Sequence, residues 1–204
     1  TLRLLSFPDV TNWYLDKGFA TIRRLMKIAK ATVGKFMDMP LPSDEVLESI
    51  EDIKDNMSKV KVILEDSKST TVRLVVNPEK MVIRETMRAY TYLSLYNKNV
   101  EAIVVNRVLP PEAGESAFLA DKMKEQKENL EMIHNAFDPM EIRYCEMMKT
   151  ELRGEEKLRA MARMIFEDED PAKVYFDASP MRFDTVDGED RLIMRMPFVN
   201  RKDV

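Results

Sequence analysis

The chain has 204 residues, 45% hydrophobic and 33% charged, with a formal net charge of -4. That length suits one globular domain with a sizeable core and a small appendage. The acidic balance excludes any electrostatic demand for nucleic acid or an anionic membrane. No apolar run approaches the ~18 residues of a membrane helix, so an integral membrane protein is not expected. One cysteine, Cys145, and one histidine, His134, rule out an internal disulfide and a Cys/His zinc site within one chain. No signal-peptide pattern opens the sequence, and the expected location is the cytoplasm.

Residues 1–7 read as a short helix ended by Pro8. A second helix is expected over about 10–37. Phe19, Ile22, Leu25, Met26, Ala29, Val33 and Phe36 recur at spacings of three and four, and Arg23, Arg24, Lys27, Lys30 and Lys35 make the remaining surface basic. Met39-Pro40-Leu41-Pro42 breaks it, and Ser43 can cap the next helix. That helix carries Val46, Ile50, Ile53, Met57, Val60 and Leu64, a seam alternating four and three. A basic and an acidic helix joined by a Pro-rich turn predict a helical hairpin over about 10–66.

Residues 70–111 read as strand, turn, helix, strand. Val72, Leu74, Val75 and Val76 form an apolar run, Asn77 can cap, and Pro78 suits a first helical position. Met81, Val82, Met87, Tyr90 and Leu93 keep helical spacing, and Ala102 to Val105 is again apolar. Two buried strands around one helix predict a βαβ unit in a parallel sheet. In such sheets the carboxyl ends of the strands carry the chemistry, here Asn77-Pro78-Glu79 and Asn106-Arg107.

A further helix is expected over about 115–137, with Leu119, Met123, Leu130, Ile133 and Phe137 on one face and His134 beside it. Residues 140–147 fit a third parallel strand. A short helix follows Glu151-Leu152-Arg153-Gly154, Glu167 to Pro171 reads as a solvated acidic loop, and Asp187-Gly188 signals a hairpin. The first residue is Thr1, and the sequence stops just after the strand-like Leu192 to Met196. The expectation is an internal piece of a longer protein.

The residues show no G-x-x-x-x-G-K-[ST] phosphate loop, no Ser/His/Asp arrangement and no metal-ligand cluster. What remains is a strand-end site. The Asn106 amide can donate to and accept from a purine edge; equally, it can simply cap the strand.

The ordered motifs resemble a known family. Thr1-Leu2-Arg3-Leu4-Leu5-Ser6-Phe7-Pro8 is similar to the segment after the second switch of the arsenite-pump and tail-anchored-protein targeting ATPases, which are deviant-Walker P-loop NTPases. Thr70-Thr71-Val72-Arg73, Asn77-Pro78-Glu79 and Arg84-Glu85-Thr86 look like that family's next strand and helix. Ile103-Val104-Val105-Asn106-Arg107-Val108-Leu109-Pro110 resembles its V-V-N-[RQ]-[VL]-L-P signature. Glu151-Leu152-Arg153-Gly154 with Leu158 looks like its E-x-R-G-x-x-x-L segment. Asp170-Pro171 and Met196-Pro197-Phe198 are similar to the linker and small-heat-shock-like β module of many members.

The resemblance implies an α/β fold: the C-terminal half of a P-loop NTPase parallel sheet, a helical subdomain, and the start of a small β module. Residues 1–168 would be ATPase domain (helical subdomain about 10–66, nucleotide-base-binding part about 70–168), and 169–204 linker and truncated β module. The parent would be a dimeric ATPase using ATP and Mg²⁺. Its phosphate loop and metal ligands would precede Thr1, which leaves this chain alone inactive and with no catalytic or metal residue of its own. By the same resemblance Asn106 and Arg107 lie at the adenine. Glu146, Met147 and Met148 border it, with Glu146 replacing the usual Pro of that loop. Pro78 and Glu79 reach nucleotide across a dimer interface.

The function implied is the handling of a hydrophobic helix client, such as a tail-anchored membrane protein, with Met26, Met37 and Met57 as client-facing candidates or else helix core. The partner would be that client or a membrane partner protein. An arsenite or anion efflux ATPase subunit is the alternative. It needs soft thiolates, and this chain offers only Cys145. The third reading is a non-catalytic interaction module. The C-x-x-C motif of zinc-clasped relatives is absent between Pro111 and Met123, so no zinc-clasped dimer is expected.

Overall fold

The computed structural model describes residues 5–19, 21, 24, 44–195 and 198. It divides into two compact units, Thr1–Ser69 and Thr70–Val204.

In the first unit, helix α1 (Phe7–Tyr14) runs into a π-helical turn, Leu15–Phe19, and helix α2 spans Asp44–Glu65. Pro8 lies in the first turn of α1 and so starts that helix, where its missing N–H is not needed. Most of the helix expected over residues 1–7 lies outside the described residues. The two helices are antiparallel: Lys61 Nζ meets Asp9 at 3.0 Å and Lys54 Nζ meets Asp16 at 2.5 Å. This contact uses charges other than the expected basic set Arg23 to Lys35, most of which lies outside the described residues. Acidic groups of the first helix face lysines of the second, and the hydrogen bonds to Asp16 and Asp9 hold both lysine amines above their usual range. The expected seam is also only half used. Ile50, Met57 and Leu64 are half-buried, whereas Val46, Ile53 and Val60 are exposed. A seven-residue step keeps Ile50, Met57 and Leu64 on one stripe, and the alternate positions rotate off it. Most of the expected basic helix, and the Met39–Pro42 turn, lie outside the described residues.

The second unit holds a parallel three-stranded sheet in the order β1 (Val72–Val76), β2 (Val100–Val108), β3 (Glu141–Glu146). The chain reaches β2 through helix α3 (Lys80–Leu95), and β3 through a 3₁₀ turn (Pro111–Glu115) and helix α4 (Ala117–Phe137). Helix α5 (Glu155–Phe166) follows β3. It packs Ile165, Met161, Met164 and Phe166 on Val104 and Cys145. The period-2 alternation of the strands turns Val76, Ile103 and Val105 to the opposite face. These three are fully buried, as are Ile83, Leu93, Ile133 and Phe137 of α3 and α4. Tyr90 and Phe137 meet edge-to-face at 6.3 Å. Burial raises the Tyr90 phenol above its usual range.

The start of β1 and β2 is tied down by the segment after α5. Glu101, with a side chain wholly removed from solvent, accepts from the Thr71 hydroxyl at 2.9 Å, Arg73 Nε at 2.8 Å and the Tyr175 N–H at 2.7 Å. Arg73 also donates to the Pro171 and Lys173 carbonyls. The Tyr175 ring lies between two guanidinium groups, those of Arg73 and Arg143, at 5.4 and 5.2 Å from its centroid. Glu169 accepts from Arg143 and from the Tyr175 hydroxyl. The segment from Glu169 to Tyr175 is therefore a strap across the strand starts, whereas Glu167, Asp168 and Asp170 of the acidic stretch stay exposed in a loop, as expected.

The hydrogen bond from Tyr175, then Lys173 and Arg143, hold the Glu169 carboxyl below its usual range. A depressed carboxyl contributes stability above the ordinary carboxylate range and loses it as pH falls through the lowered value. Urea unfolding should therefore show a steeper loss of stability on acidification in the wild type than in Glu169→Gln; equal slopes would remove Glu169 from the strap's energetics.

The strap leads to a hairpin, β4 (Met181–Val186) and β5 (Glu189–Met194). Its two-residue turn places Asp187 at φ 55 and Gly188 at φ 81, the left-handed pair that an Asp-Gly turn of this kind requires.

Candidate functional site

The carboxyl ends of the three strands enclose a cleft of about 480 Å³, within the range for small-molecule sites. Its most unusual wall is a bulge in β2. Val105 pairs with Tyr144 and Val108 with Glu146, so β2 uses one residue more than β3 across this interval. The extra length is taken up at Asn106-Arg107, where Arg107 adopts φ 59. A non-glycine residue there carries roughly 1–2 kcal/mol of steric cost. The Asn106 Oδ1 accepts the Arg107 N–H at 2.9 Å, which offsets part of that cost. A bulge of this kind re-aims side chains at the end of a strand. One lone pair of the Asn106 amide oxygen is used; the second, and the NH₂ group, remain chemically capable of reading a ring edge.

The opposite wall comes from the end of β3 and the loop after it. Glu146 and Met147 are exposed and Met148 is half-buried. The Met147 N–H donates to the Val108 carbonyl at 2.7 Å, and the Glu146 N–H meets Met164 Sδ at 3.1 Å. Lys157 ties the loop down through the Thr150 hydroxyl and the Glu151 carbonyl. Gly154, at φ +83, begins α5. Flexible thioethers and a carboxylate beside an amide make a wall suited to a flat heteroaromatic group.

Asn106, Arg107, Glu146, Met147 and Met148 thus line one cleft. Pro78 and Glu79 line an adjoining one of about 490 Å³, which shares Asn77, Arg107 and Met147 with the first. Helix α3 starts at Lys80 with Glu79 at the N-cap position, so Pro78 is not the first helical residue and Asn77 does not cap. Instead the Glu79 N–H donates to the Asn77 carbonyl at 2.7 Å, a three-residue turn about Pro78. Met57 belongs to the other unit and is half-buried; Met26 and Met37 lie outside the described residues. His134 is exposed on α4. Asn77, which lines both clefts, was legible as a cap and as part of a strand end, whereas Gln126, which lines the second cleft, is a polar residue on an apolar helical face with no local signal.

Cys145 faces α5 and is buried, which raises its thiol above the usual range, with the neighbouring Glu146 charge adding to the effect. It is poorly disposed to act as a thiolate. Among the described residues no three His, Cys, Asp or Glu side chains gather to hold a metal ion. No described helix is long and apolar enough to cross a membrane.

A parallel sheet with helices on both faces and a cleft at its strand ends defines an α/β nucleotide-site architecture. Comparison with known proteins specifies it. Residues 1–167 match the family model described as anion-transporting ATPase, and the chain belongs to that family. It is 33% identical over 207 residues to the putative arsenical pump-driving ATPase 1 of Aquifex aeolicus, covering 100% of this chain and 52% of that protein. It is 32% identical over 208 residues to the putative arsenical pump-driving ATPase of Chlorobaculum tepidum, covering 100% and 51%. It is 30% identical over 172 residues to ATPase GET3 of Pyricularia oryzae, covering 81% and 49%. The chain spans about half the length of these curated relatives.

Proposed function

We propose that this chain forms the base-recognising part of an ATP-hydrolysing enzyme. Asn106 reads the adenine edge, Glu146, Met147 and Met148 form the wall against the ring, and Arg107 lies at the junction with the second cleft. The observation that carries this reading is the single cleft at the β2 bulge, which gathers all five residues. Backbone phosphate binding and Mg²⁺ chemistry fall to residues outside these 204. The enzyme acts as a homodimer, with Pro78 and Glu79 directed at nucleotide held by the second copy. Its nucleotide state governs the handling of a hydrophobic helix client. The exposed Ile53, Val60 and Ile63, on one side of α2, support an apolar face for that task.

The names of the Aquifex and Chlorobaculum relatives favour a second reading, a pump-driving ATPase for an arsenical anion. The burial of Cys145 weighs against this chain contributing a thiolate to it.

In the full-length protein, Asn106→Ala should weaken ATP binding about tenfold, as loss of a base-edge hydrogen bond does, and leave Mg²⁺-tripolyphosphate binding unchanged. Titration of both ligands measures this. Equal ATP affinity in the two proteins would remove the adenine role, and ATP turnover by the 204-residue chain alone would overturn the division of labour.

A further inference from the structure

Two amide side chains on α4 are buried, Gln126 at 8% and Asn129 at 5% exposure, one helical turn apart on the same face. Buried amides are retained only where their polar atoms find partners. The Gln126 Oε1 accepts the Leu109 N–H at 2.6 Å and its Nε2 donates to the Leu109 carbonyl at 3.2 Å. Asn129 Nδ2 donates to the Pro78 carbonyl at 2.9 Å. Gln126 thus gives Leu109 the donor–acceptor pair that a neighbouring strand would supply, one residue beyond the end of β2. Asn129 does the same for a carbonyl beyond the end of β1. The two contacts pin the two strand-end segments, 106–109 and 77–79, to one rigid helix.

We propose that Gln126 and Asn129 are positioning residues of the nucleotide site. Through Leu109 and Pro78 they hold the left-handed Asn106-Arg107 bulge and the Asn77–Glu79 turn in the geometry that receives an adenine nucleotide. The inference rests on the adenine reading of Asn106. Its physical content is preorganisation. The bulge is fixed on one side by the Met147–Val108 hydrogen bond and on the other by Gln126. Releasing Leu109 lets Arg107 relax out of its strained conformation, and the Asn106 amide must then be ordered by the ligand at a cost in affinity.

The test uses full-length protein carrying Gln126→Met, Gln126→Glu, Asn129→Leu or Asn106→Ala. ATP and Mg²⁺-tripolyphosphate affinities are measured alongside hydrogen exchange over 77–81 and 106–109. Gln126→Met should weaken ATP about tenfold, leave tripolyphosphate within about twofold, and speed exchange at the Leu109 amide. Asn129→Leu should speed exchange over 77–81 with a smaller loss of ATP affinity. Gln126→Glu distinguishes positioning from bulk packing. Its carboxylate accepts from Leu109 but cannot donate to the carbonyl, and on protonation it regains the donor. Its ATP affinity relative to wild type should therefore rise as pH falls; the other charged groups of that cleft, Glu79, Lys80, Arg107, Lys122 and Glu125, are common to both proteins. Should Gln126→Met fail to fold, Gln126→Glu and Asn129→Leu decide the matter. Wild-type ATP affinity in the folded Gln126 and Asn129 variants, with Asn106→Ala impaired, overturns the clamp and leaves the base site standing. Equal loss of ATP and tripolyphosphate affinity reduces the two amides to packing and also overturns it. An Asn106→Ala protein with normal affinity removes the base site and the clamp's role together.

Discussion

Glu101→Ala will destabilise the second unit by about 3 kcal/mol, the lower end of the range for removing one partner of a buried ion pair. The lower end applies because Arg73 keeps 23% of its side-chain exposure, while Glu101 keeps none. Three donors lose their acceptor at once: the Thr71 hydroxyl, Arg73 Nε and the Tyr175 N–H. The last belongs to the strap, so the loss should be visible as faster hydrogen exchange over 169–177, beyond the drop in global stability read from urea unfolding. Thr71→Val removes one of the donors and should cost much less, about 1 kcal/mol. A Glu101→Ala protein within 1 kcal/mol of wild type would mean that water replaces the carboxylate and that the Arg73 bonds to the Pro171 and Lys173 carbonyls and the Arg143–Glu169 pair suffice to hold the strap.

Phe137→Ala should cost about 3–5 kcal/mol in the same measurement. The ring has no exposure and meets Tyr90 edge-to-face at 6.3 Å and Phe198 at 6.4 Å. Its removal leaves a void between α3 and α4, where close packing admits few voids larger than a water molecule. Phe137→Leu keeps most of the volume and should lose less than half as much. The site itself lies at the other end of the sheet, so ATP affinity of the folded variant should stay close to wild type. A large affinity loss with little loss of stability would assign Phe137 to the site instead of the core.

Both predictions concern the scaffold, and the scaffold separates into parts that were readable and parts that were not. The parallel β1–α3–β2–α4–β3 succession followed from apolar runs in β1 and β2 bounded by turn residues; the run suits β2, which is buried over most of its length, whereas β1 and β3 are half-buried. The Asp187-Gly188 turn was equally legible, since its left-handed pair is a property of two residues. Local rules failed where a distant partner decided the outcome. Glu167, Asp168 and Asp170 are the exposed loop that their composition suggests, but Glu169 is drawn to Arg143, 26 residues away in sequence, and the Lys173 carbonyl to Arg73, 100 residues away. Lys54 and Lys61, minor residues of an acidic helix, became its partners to α1.

The strand-end cleft shows the same division. Asn106 at the end of β2 followed from the strand-end rule, and the resemblance added the loop from Glu146 to Met148. The sequence by itself determined the strand order of the chemistry, the family, and the residue types available at each strand end, because these depend on local periodicity and on ordered motifs. Only the tertiary structure decided that β2 bulges at Asn106-Arg107, that Asn77 belongs to both clefts, and that Gln126 and Asn129 hold the two strand ends. A bulge is a mismatch of register between two strands, and a clamp is a contact across 17 or 51 residues of chain. Neither is a property of any local stretch, so neither exists until the helix is laid against the sheet.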